Sequence, residues 1–186
     1  MAEPIRAPLT YDDYLRLPED GSRYELIEGE LLMTPAPLIS HQRLSIRLSN
    51  RIGPFVERQN LGELFAAPTD VYLSHVNVVQ PDLLFIAKEH SDRIVRACIH
   101  GAPDLVIEIL SEGTRRRDEV TKLRLYAQFD VREYWVFDPF REGARVYRLK
   151  DGVYEQAANL SAEGGDRLTS PLLPGLELDL ADLFGR

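Results

Sequence analysis

Two strongly apolar stretches of the sequence each contain one acidic residue. Asp82 lies in the stretch from Val78 to Ile86, and Glu108 lies in the stretch from Asp104 to Ser111. An ionised carboxylate buried among aliphatic side chains costs several kcal/mol unless a positive group compensates it. Two such carboxylates on neighbouring strands also repel each other, and a shared divalent cation would offset both costs. The pattern therefore favours a metal site formed by Asp82 and Glu108.

Both stretches are interpreted as buried strands, because they are rich in branched aliphatic residues and are bounded by turn residues. Side chains alternate between the two faces of a strand, so Glu108 should share its face with Val106 and Leu110. By the same rule, Asp82 should share its face with Leu84. Two simpler interpretations stay open: Asp82 caps a turn after its proline, and Glu108 pairs with a buried lysine or arginine.

The composition is typical of a soluble globular protein, with 44% hydrophobic and 28% charged residues in a chain of 186. We expect one domain over residues 1–186, with a core at about 22–140. Cys98 is the only cysteine, which excludes an intrachain disulfide and a cysteine-rich zinc site and fits a reducing cytoplasm. No apolar run approaches the roughly 20 residues of a membrane span, so we expect no membrane contact.

The formal net charge of −8 argues against nucleic-acid binding by overall electrostatic attraction. Positive charge is nevertheless concentrated locally, for example in the run Arg115-Arg116-Arg117. We therefore expect a polyanion to bind at such a patch or through metal ions, and we predict that these three arginines bind nucleic acid. The alternative is that they form only the solvated first turn of a helix.

Turn residues and hydrophobic periodicity predict an α/β (α+β) fold: a mixed sheet with two main helices on its faces, an N-terminal hairpin and extra C-terminal strands. The second main helix should bury Val120, Leu123, Tyr126 and Ala127. The predicted elements, in chain order, are a helix over 10–17 capped by Thr10, a hairpin over 24–33 turning at Glu28-Gly29, a helix over 38–59, a strand over 71–73, the two buried strands, a helix over 115–129, a strand over 132–138, a hairpin turning at Asp151-Gly152, and an amphipathic segment over 176–184.

Five sequence blocks are distributed along the chain, and two of them contain Asp82 and Glu108. They read Tyr24-Glu25-Leu26-Ile27-Glu28-Gly29, Val79-Gln80-Pro81-Asp82-Leu83, Asp104-Leu105-Val106-Ile107-Glu108-Ile109-Leu110-Ser111, Lys122-Leu123-x-x-Tyr126 and Glu133-Tyr134-Trp135-Val136-Phe137-Asp138-Pro139. Together they resemble the Uma-two family of restriction endonucleases, within the PD-(D/E)XK restriction-endonuclease-like superfamily. The resemblance extends over nearly the whole chain. It implies a restriction-endonuclease-like fold, in which helices flank a core of mixed β-sheet.

The sequence departs from the superfamily signature at one position. Leu110 stands two residues beyond Glu108, where the signature has a lysine. In the family that the chain resembles, a lysine from the following helix supplies this ammonium, so the resemblance assigns the role to Lys122. An ammonium needs only to reach the reacting centre, whatever its position in the chain. The alternative for Lys122 is an exposed helical ion pair with Asp118 or Glu119.

The chemistry implied by the resemblance is metal-dependent hydrolysis of DNA phosphodiester bonds by an endonuclease. Asp82, Glu108 and the backbone carbonyl of Ile109 would bind Mg²⁺ or Mn²⁺. Lys122 would orient or help deprotonate the attacking water, or stabilise the transition state. Glu25 would be a further metal ligand or would position water; its alternative is a solvated residue of the hairpin.

His41 lies near the start of the first long helix and is an accessory candidate for the same site, with a packing role as its alternative. DNA is the expected partner. Cutting both strands of a duplex usually requires two active sites, so we expect a homodimer. The strand that contains Tyr134 and Trp135, or the terminal segments, would form its contacts.

Two other functions stay open at this point. The chain could be a catalytically silent nucleic-acid-binding or homo-oligomeric module of the same fold, or a small nucleotide phosphoesterase that uses the same metal site. DNA affinity without a metal requirement would indicate the module. Competition by short nucleotides rather than duplex DNA would indicate the phosphoesterase.

Overall fold

The structure is a computed structural model, and it describes residues 7–18 and 20–185. A 3-10 helix spans Lys88–Arg93, and a π-helical turn spans Arg117–Lys122 and leads directly into the α-helix that begins at Leu123. In chain order, the other elements are α1 (Tyr11–Tyr14), β1 (Arg23–Ile27), β2 (Glu30–Thr34), α2 (Ile39–Gln59), β3 (Gly62–Ala66), β4 (Val71–Ser74), β5 (Asn77–Val79), β6 (Leu83–Ala87), β7 (Ile99–His100), β8 (Leu105–Ile109), α3 (Leu123–Gln128), β9 (Glu133–Asp138), β10 (Gly143–Lys150), β11 (Val153–Ser161), β12 (Arg167–Ser170), β13 (Leu173–Asp179) and α4 (Leu180–Phe184).

The central layer is a six-stranded sheet in the order β11-β10-β9-β8-β6-β3. Strands β8 and β9 pair in parallel, whereas the other neighbours in this sheet are antiparallel. Leu48 and Ile52 of α2 pack in one core cluster with Ile107, and Tyr126 of α3 packs in a second cluster with Val106. Because successive residues of β8 point to opposite faces, the two helices cover opposite sides of the sheet. The predicted mixed sheet between two main helices is confirmed.

The N-terminal hairpin belongs to a second sheet of five strands, in the order β2-β1-β5-β4-β7. Its predicted turn is confirmed, since Ile27 pairs with Glu30 across Glu28 and Gly29. Both turn residues have positive φ, 52° at Glu28 and 78° at Gly29, as the two-residue turn of a twisted hairpin requires. A side chain at Gly29 would also collide with the Cβ of Pro8.

The stretch from 78 to 86 forms two strands in two different sheets, so its prediction as a single strand was wrong. Strand β5 ends at Val79 in the five-stranded sheet, and β6 begins at Leu83 in the six-stranded sheet. Pro81 lies between them and has no N–H to donate to a ladder, which makes it a natural break. Asp82 consequently lies immediately before β6, where the chain passes from one sheet to the other.

The second main helix meets the core partly as predicted, because Leu123 packs against the core cluster and Ala127 is half-buried, but Val120 does not face inward. Helical structure runs over 115–128 but contains the π-helical turn. Val120 is 60% exposed, whereas Asp118 and Lys122 are buried. Tyr126 is buried as predicted. The prediction failed at Val120 because it counted only apolar side chains, whereas the face of β8 beneath this helix carries Glu108, which favours a cation above it.

Helix α1 is shorter than predicted, whereas α2 is not interrupted by Pro54. Thr10 caps α1 in a capping box with Asp13, as its sequence indicates, but the α-helix ends at Tyr14. The residue before a proline disfavours helical geometry, so Pro18 sets a limit at Leu17, and the α-helix ends before that limit. Helix α2 continues through Pro54 to Gln59.

The C-terminal strands form a hairpin on the six-stranded sheet and a separate two-stranded sheet. Strands β10 and β11 turn at Asp151-Gly152 as predicted, and β12 pairs with β13. Tyr134 and Trp135 are fully buried core residues, so they cannot be the subunit contacts that the sequence suggested. Residues 1–6 and 186 of the terminal segments lie outside the described residues. Among the residues that are described, no helix combines the length and apolar character that a membrane crossing requires.

Candidate active site

Asp82 and Glu108 face each other across the β6–β8 pair. In this antiparallel pair, Leu83 is opposite Ile107 and Leu84 is opposite Val106. Continuing the register by one residue places Asp82 opposite Glu108. Directly opposite residues point to the same face, with Cβ atoms about 4.5–5.5 Å apart. The two acidic residues of the apolar stretches therefore lie together on one face, which is the face covered by α3.

The two carboxylates open onto a cavity of about 230 Å³. The five-stranded sheet supplies one wall, the segments after β2 and β8 supply a second, and the helical region 115–128 supplies a third. The lining residues are Arg23, Glu25, Thr34, Pro35, Ala36, Pro37, Leu38, His41, Gln80, Asp82, Glu108, Ile109, Ser111, Glu112, Gly113, Thr114, Arg117, Asp118 and Lys122.

Asp82 is held by two contacts to the same oxygen. The backbone N–H of Ile109 donates to Asp82 Oδ2 at 2.8 Å, and His41 Nε2 lies 3.0 Å from that oxygen. Asp82 therefore bridges β6 to the end of β8 instead of only capping a local turn. His41 reaches the site because it lies in the first turn of α2 with its ring largely buried. The N–H and C=O of a strand residue point to the same edge, so the Ile109 carbonyl lies on the side of Asp82.

Glu108 is held by the helix above it. Lys122 Nζ donates to Glu108 Oε1 at 2.8 Å, and the hydroxyl of Tyr126 donates to the same oxygen at 2.9 Å. The ammonium of Lys122 also lies 2.7 Å from Glu25 Oε1 and 3.7 Å from Asp118 Oδ1. Lys122 is buried among three carboxylates, so its interpretation as an exposed surface ion pair was wrong. The open alternative in which Glu108 pairs with a buried lysine is realised.

Glu25 is a buried member of this cluster, which excludes its alternative as a solvated hairpin residue. It is 1% exposed on β1, whose neighbour β5 leads into Gln80. The backbone N–H of Gln80 donates to Glu25 Oε1 at 3.0 Å. The second sheet thus contributes one carboxylate to a site that is otherwise built on the first sheet.

The cluster contains more negative than positive groups. Glu25, Asp82, Glu108 and Asp118 are four buried or largely buried carboxylates, and among the described residues Lys122 and Arg117 are the permanent cations within 4 Å of them. Burial raises the pKa of Glu108, and the nearby carboxylates add to that rise although Lys122 opposes it. Burial alone would lower the pKa of Lys122, but the carboxylates around it hold that pKa above its ordinary value. Such a cluster retains protons or attracts a cation.

Three buried polar atoms around the cavity have no hydrogen-bond partner within residues 7–18 and 20–185. They are Glu25 Oε2, His41 Nδ1 and Arg117 Nε. An unpaired buried polar atom costs free energy, and such atoms concentrate where a ligand or solvent completes the site. Their clustering around one cavity indicates that this region is built to bind something.

The three consecutive arginines have different surroundings. Arg115 Nη1 donates to Asp138 Oδ2 at 2.8 Å and also approaches Glu119, so its guanidinium is engaged away from the cavity. Arg116 is exposed, and Arg117 lines the cavity. The structure therefore brings Arg117 to the candidate site and leaves Arg115 and Arg116 outside it.

Sequence reasoning missed Asp118 and Tyr126 as parts of the site. Both are buried and both contact the Glu108–Lys122 pair. Thr114 orients Asp118 through a 2.7 Å hydrogen bond to its Oδ2. A signal was available, since Asp118, Lys122 and Tyr126 are spaced four apart and form a polar stripe on one side of a helix.

The side chains present match the ligand preferences of a hard divalent cation. Mg²⁺ and Mn²⁺ prefer carboxylate and carbonyl oxygens, which this cavity supplies, and one buried oxygen of Glu25 is unpaired. Among the residues for which the structure gives positions, no group of three or more His, Cys, Asp or Glu side chains is arranged to hold an ion. A cation here would therefore use Asp82 and Glu108 and complete its coordination with backbone, solvent or substrate oxygens.

A solved structure has the same fold. The crystal structure of "a putative nuclease belonging to DUF820", from Anabaena variabilis ATCC 29413, is similar to this chain with a TM-score of 0.81 at 23% sequence identity. The similarity covers 96% of this chain and 98% of that chain. The chain therefore has a mixed α/β fold of the restriction-endonuclease-like type.

Comparison with curated proteins finds no match. A family model does match, over residues 11–181, and its description is "Uma2: Putative restriction endonuclease". This range includes all five sequence blocks that carried the resemblance, and that resemblance is confirmed. The chain belongs to the Uma2 family.

Proposed function

We propose that this chain is a divalent-metal-dependent endonuclease that hydrolyses DNA phosphodiester bonds. The observation that carries the proposal is the position of Asp82 opposite Glu108, at a cavity with more carboxylates than permanent cations. The family and the nuclease-like fold agree with this chemistry.

Phosphodiester hydrolysis forms one bond between a water oxygen and phosphorus and breaks one ester bond between phosphorus and oxygen. The water gives up one proton, and the leaving alkoxide gains one. When bound, Mg²⁺ or Mn²⁺ would lower the pKa of a water and neutralise charge on the phosphate oxygens. Asp82, Glu108 and the carbonyl of Ile109 would hold the ion, and Glu25 would add a ligand or position water.

The remaining contacts fix these ligands in place. His41 and the Ile109 N–H determine the orientation of the Asp82 carboxylate, and Tyr126 determines that of Glu108. Groups that orient metal-binding carboxylates typically change affinity or activity by about 10–100-fold when they are lost. We therefore propose His41 as a positioning residue.

Among the described residues, Lys122 has two short contacts, which would leave its third N–H for the attacking water. Two of its contacts, to Glu25 and Glu108, are short, and its third carboxylate, Asp118, is 3.7 Å away, which is too long for a hydrogen bond. Because the surrounding carboxylates keep its pKa raised, Lys122 stays an ammonium at neutral pH. It would accordingly orient the water by donation and stabilise charge, and would not act as the base.

A second candidate function rests on the same contacts. Glu108 Oε1 already accepts hydrogen bonds from Lys122 and Tyr126, so this oxygen has partners without an ion. A nucleic-acid-binding module that has lost catalysis would keep such a pair. DNA affinity that is the same with and without a chelator would favour this candidate over the endonuclease.

Calorimetric titration with Mn²⁺ tests the proposal without requiring a guess at the DNA sequence. We expect binding by the parent and its loss in Glu108→Gln. Glu155→Gln is the matched control, because Glu155 is an exposed strand glutamate paired only with Lys150 among the described residues. Absence of binding by the parent, even with a non-cleavable oligonucleotide present, would reject the metal site. Binding that survives Glu108→Gln would misplace it.

We also propose a homodimer, because one chain offers one such cavity and a duplex has two strands to cut. The Tyr134–Trp135 strand is excluded as the contact by its burial. Light scattering should give twice the mass of 21.2 kDa, independent of concentration over a wide range. A constant monomer mass would contradict the dimer.

A further inference from the structure

Arg117 is a largely buried cation whose hydrogen-bonding capacity is barely used. Its side chain is 15% exposed and lines the cavity. The nearest carboxylate oxygen, Glu25 Oε2, is 3.7 Å from Nη1, which is beyond hydrogen-bond distance. Its Nε has no partner in the described part of the chain. A guanidinium carries five N–H donors, and leaving a buried one such as Nε unpaired is costly.

The backbone places Arg117 at the site in a way that an ordinary helix would not. In an α-helix, residues five apart point in directions roughly 140° different, so Arg117 and Lys122 would lie on different sides. The π-helical turn runs from Arg117 to Lys122, and its hydrogen bonds join residues five apart. Both cations consequently reach the same cavity. Turns of this kind are frequent at functional sites.

The two cations have different surroundings. Lys122 is committed to Glu108 and Glu25 at 2.8 and 2.7 Å, respectively. Arg117 has no contact of comparable length to a carboxylate in residues 7–18 and 20–185. A planar, positive donor group that lines the cavity without a short contact to a carboxylate among the described residues is suited to an anion with several oxygens.

We propose that Arg117 binds a non-bridging oxygen of the scissile phosphodiester and stabilises the charge that develops there in the transition state. This role rests on the proposed endonuclease function. Arginine does not lose its proton in proteins, so the contribution is electrostatic and no proton passes through Arg117. Lys122 then serves the carboxylates and the water, and Arg117 serves the phosphate.

The test compares Arg117→Gln and Arg117→Lys with the parent and with Arg124→Gln. Arg124 is a matched control on the same helical region, because it is exposed and pairs only with Glu28 among the described residues. Four quantities are measured for each protein: the thermal unfolding midpoint, Mn²⁺ binding by calorimetry, kcat and KM on DNA, and DNA affinity in Ca²⁺ across a salt series.

We expect Arg117→Gln to retain Mn²⁺ binding and to lose kcat by about 100-fold or more, as when one transition-state donor is removed. The slope of log affinity against log salt should fall by about one, the value for one lost phosphate contact. Arg117→Lys should keep the salt slope and recover part of kcat. Guanidinium ion added to Arg117→Ala should restore part of the rate, which a merely structural residue would not allow.

Several outcomes would overturn the role of Arg117. Parent-like kcat in a folded Arg117→Gln protein would do so, and so would a loss of Mn²⁺ binding parallel to the loss of rate, because Arg117 would then act through the carboxylates. If Arg117→Gln does not fold, the other two variants decide. The proposed role is then overturned if Arg117→Lys has a parent-like kcat and guanidinium ion does not restore the rate of Arg117→Ala. A parent that binds Mn²⁺ but cleaves no phosphodiester rejects the proposed function, and the role of Arg117 falls with it.

Discussion

Glu108 and Glu133 are both buried strand glutamates, on the neighbouring strands β8 and β9, but their surroundings differ. Glu133 Oε2 accepts hydrogen bonds from Trp135 Nε1 and Ser170 Oγ, both at 2.8 Å, and its Oε1 accepts one from Arg148 at 2.8 Å. Both oxygens are paired, and one cation balances one carboxylate. Glu108 shares its lysine with other carboxylates and receives its side-chain bonds on one oxygen only, counting the described residues.

This difference indicates that Glu133 has a structural role, whereas Glu108 belongs to a site that can bind a ligand. A buried charge stabilises a fold only when all its hydrogen-bonding capacity is met. The Glu133 group meets this condition without a ligand. The cluster around Glu108 contains unpaired buried atoms of Glu25 and Arg117, has excess negative charge and borders a cavity. We therefore infer that a bound ligand completes its contacts.

The largest effect on stability should come from Glu133. Glu133→Leu keeps a similar side-chain size but leaves Trp135 Nε1 and Ser170 Oγ without an acceptor. Each buried donor left unpaired costs about 1–3 kcal/mol, so the free energy of unfolding should fall by about 2–5 kcal/mol. Urea denaturation measures it, with Glu133→Gln as the milder control. A loss below about 1 kcal/mol would remove the contrast with Glu108.

Glu108→Gln should have the opposite profile. DNA cleavage should fall by more than about 100-fold, since a metal ligand is lost. Stability should stay within about 1 kcal/mol of the parent, because Lys122 keeps Glu25 and Asp118 as counter-charges and is not left as an unpaired buried cation. Cleavage assays and urea denaturation on the same preparation check both parts. A large fall in the free energy of unfolding of Glu108→Gln would show that Glu108, like Glu133, has a structural role.

His41→Ala should weaken the site without removing it. Asp82 would lose one of its two orienting partners but keep the N–H of Ile109. We expect Mn²⁺ affinity to fall by about tenfold, as is typical for loss of a group that orients a metal ligand. Calorimetry measures the affinity, and His41→Gln, which can still donate, should lose less. Unchanged affinity in both variants would leave His41 a packing residue.

Asp138 extends the comparison to a third carboxylate, with the smallest expected effect. Burial alone would raise its pKa, but hydrogen bonds from Arg115 and from the backbone N–H groups of Phe140 and Arg141 outweigh burial and lower the pKa. The group therefore contributes stability above the ordinary aspartate pKa of about 3.9, and this contribution is lost as the pH falls through the folded-state pKa. Asp138→Asn should lose less stability than the parent between about pH 5 and pH 3. An identical acid dependence would show that Asp138 is not coupled to folding.

Much of the fold follows from local sequence signals. The hairpin turns at Glu28-Gly29 and Asp151-Gly152 were predicted because few residue pairs adopt positive φ at both turn positions. The division of the 78–86 stretch between two sheets was not predicted. Its apolar residues suit a buried strand in either sheet, and only the packing of the whole chain determines where Pro81 interrupts the pairing.

The environments of the site residues were less predictable than their identities. Asp82 and Glu108 stood out because charged residues are rare in apolar stretches. Lys122 stood out because it occupies a position in the order of sequence blocks that carried the family resemblance. The burial of Lys122 did not follow from the sequence, since an i, i+4 pair with Asp118 also suits an exposed helix. The exposure of Val120 likewise depended on which side of the helix had to meet Glu108.

Local sequence was enough to predict the turns, because they depend on residues adjacent in the chain, and to predict that Glu108 shares its face with Val106, because side chains alternate along a strand. It did not determine that Asp82 lies opposite Glu108, because that position depends on the register between two strands that are distant in the sequence. The tertiary structure alone decided that Glu25 joins from a second sheet and that the π-helical turn brings Arg117 beside Lys122. Such placements depend on charge balance and packing between segments that are distant in the sequence, and a local sequence pattern contains no information about those contacts.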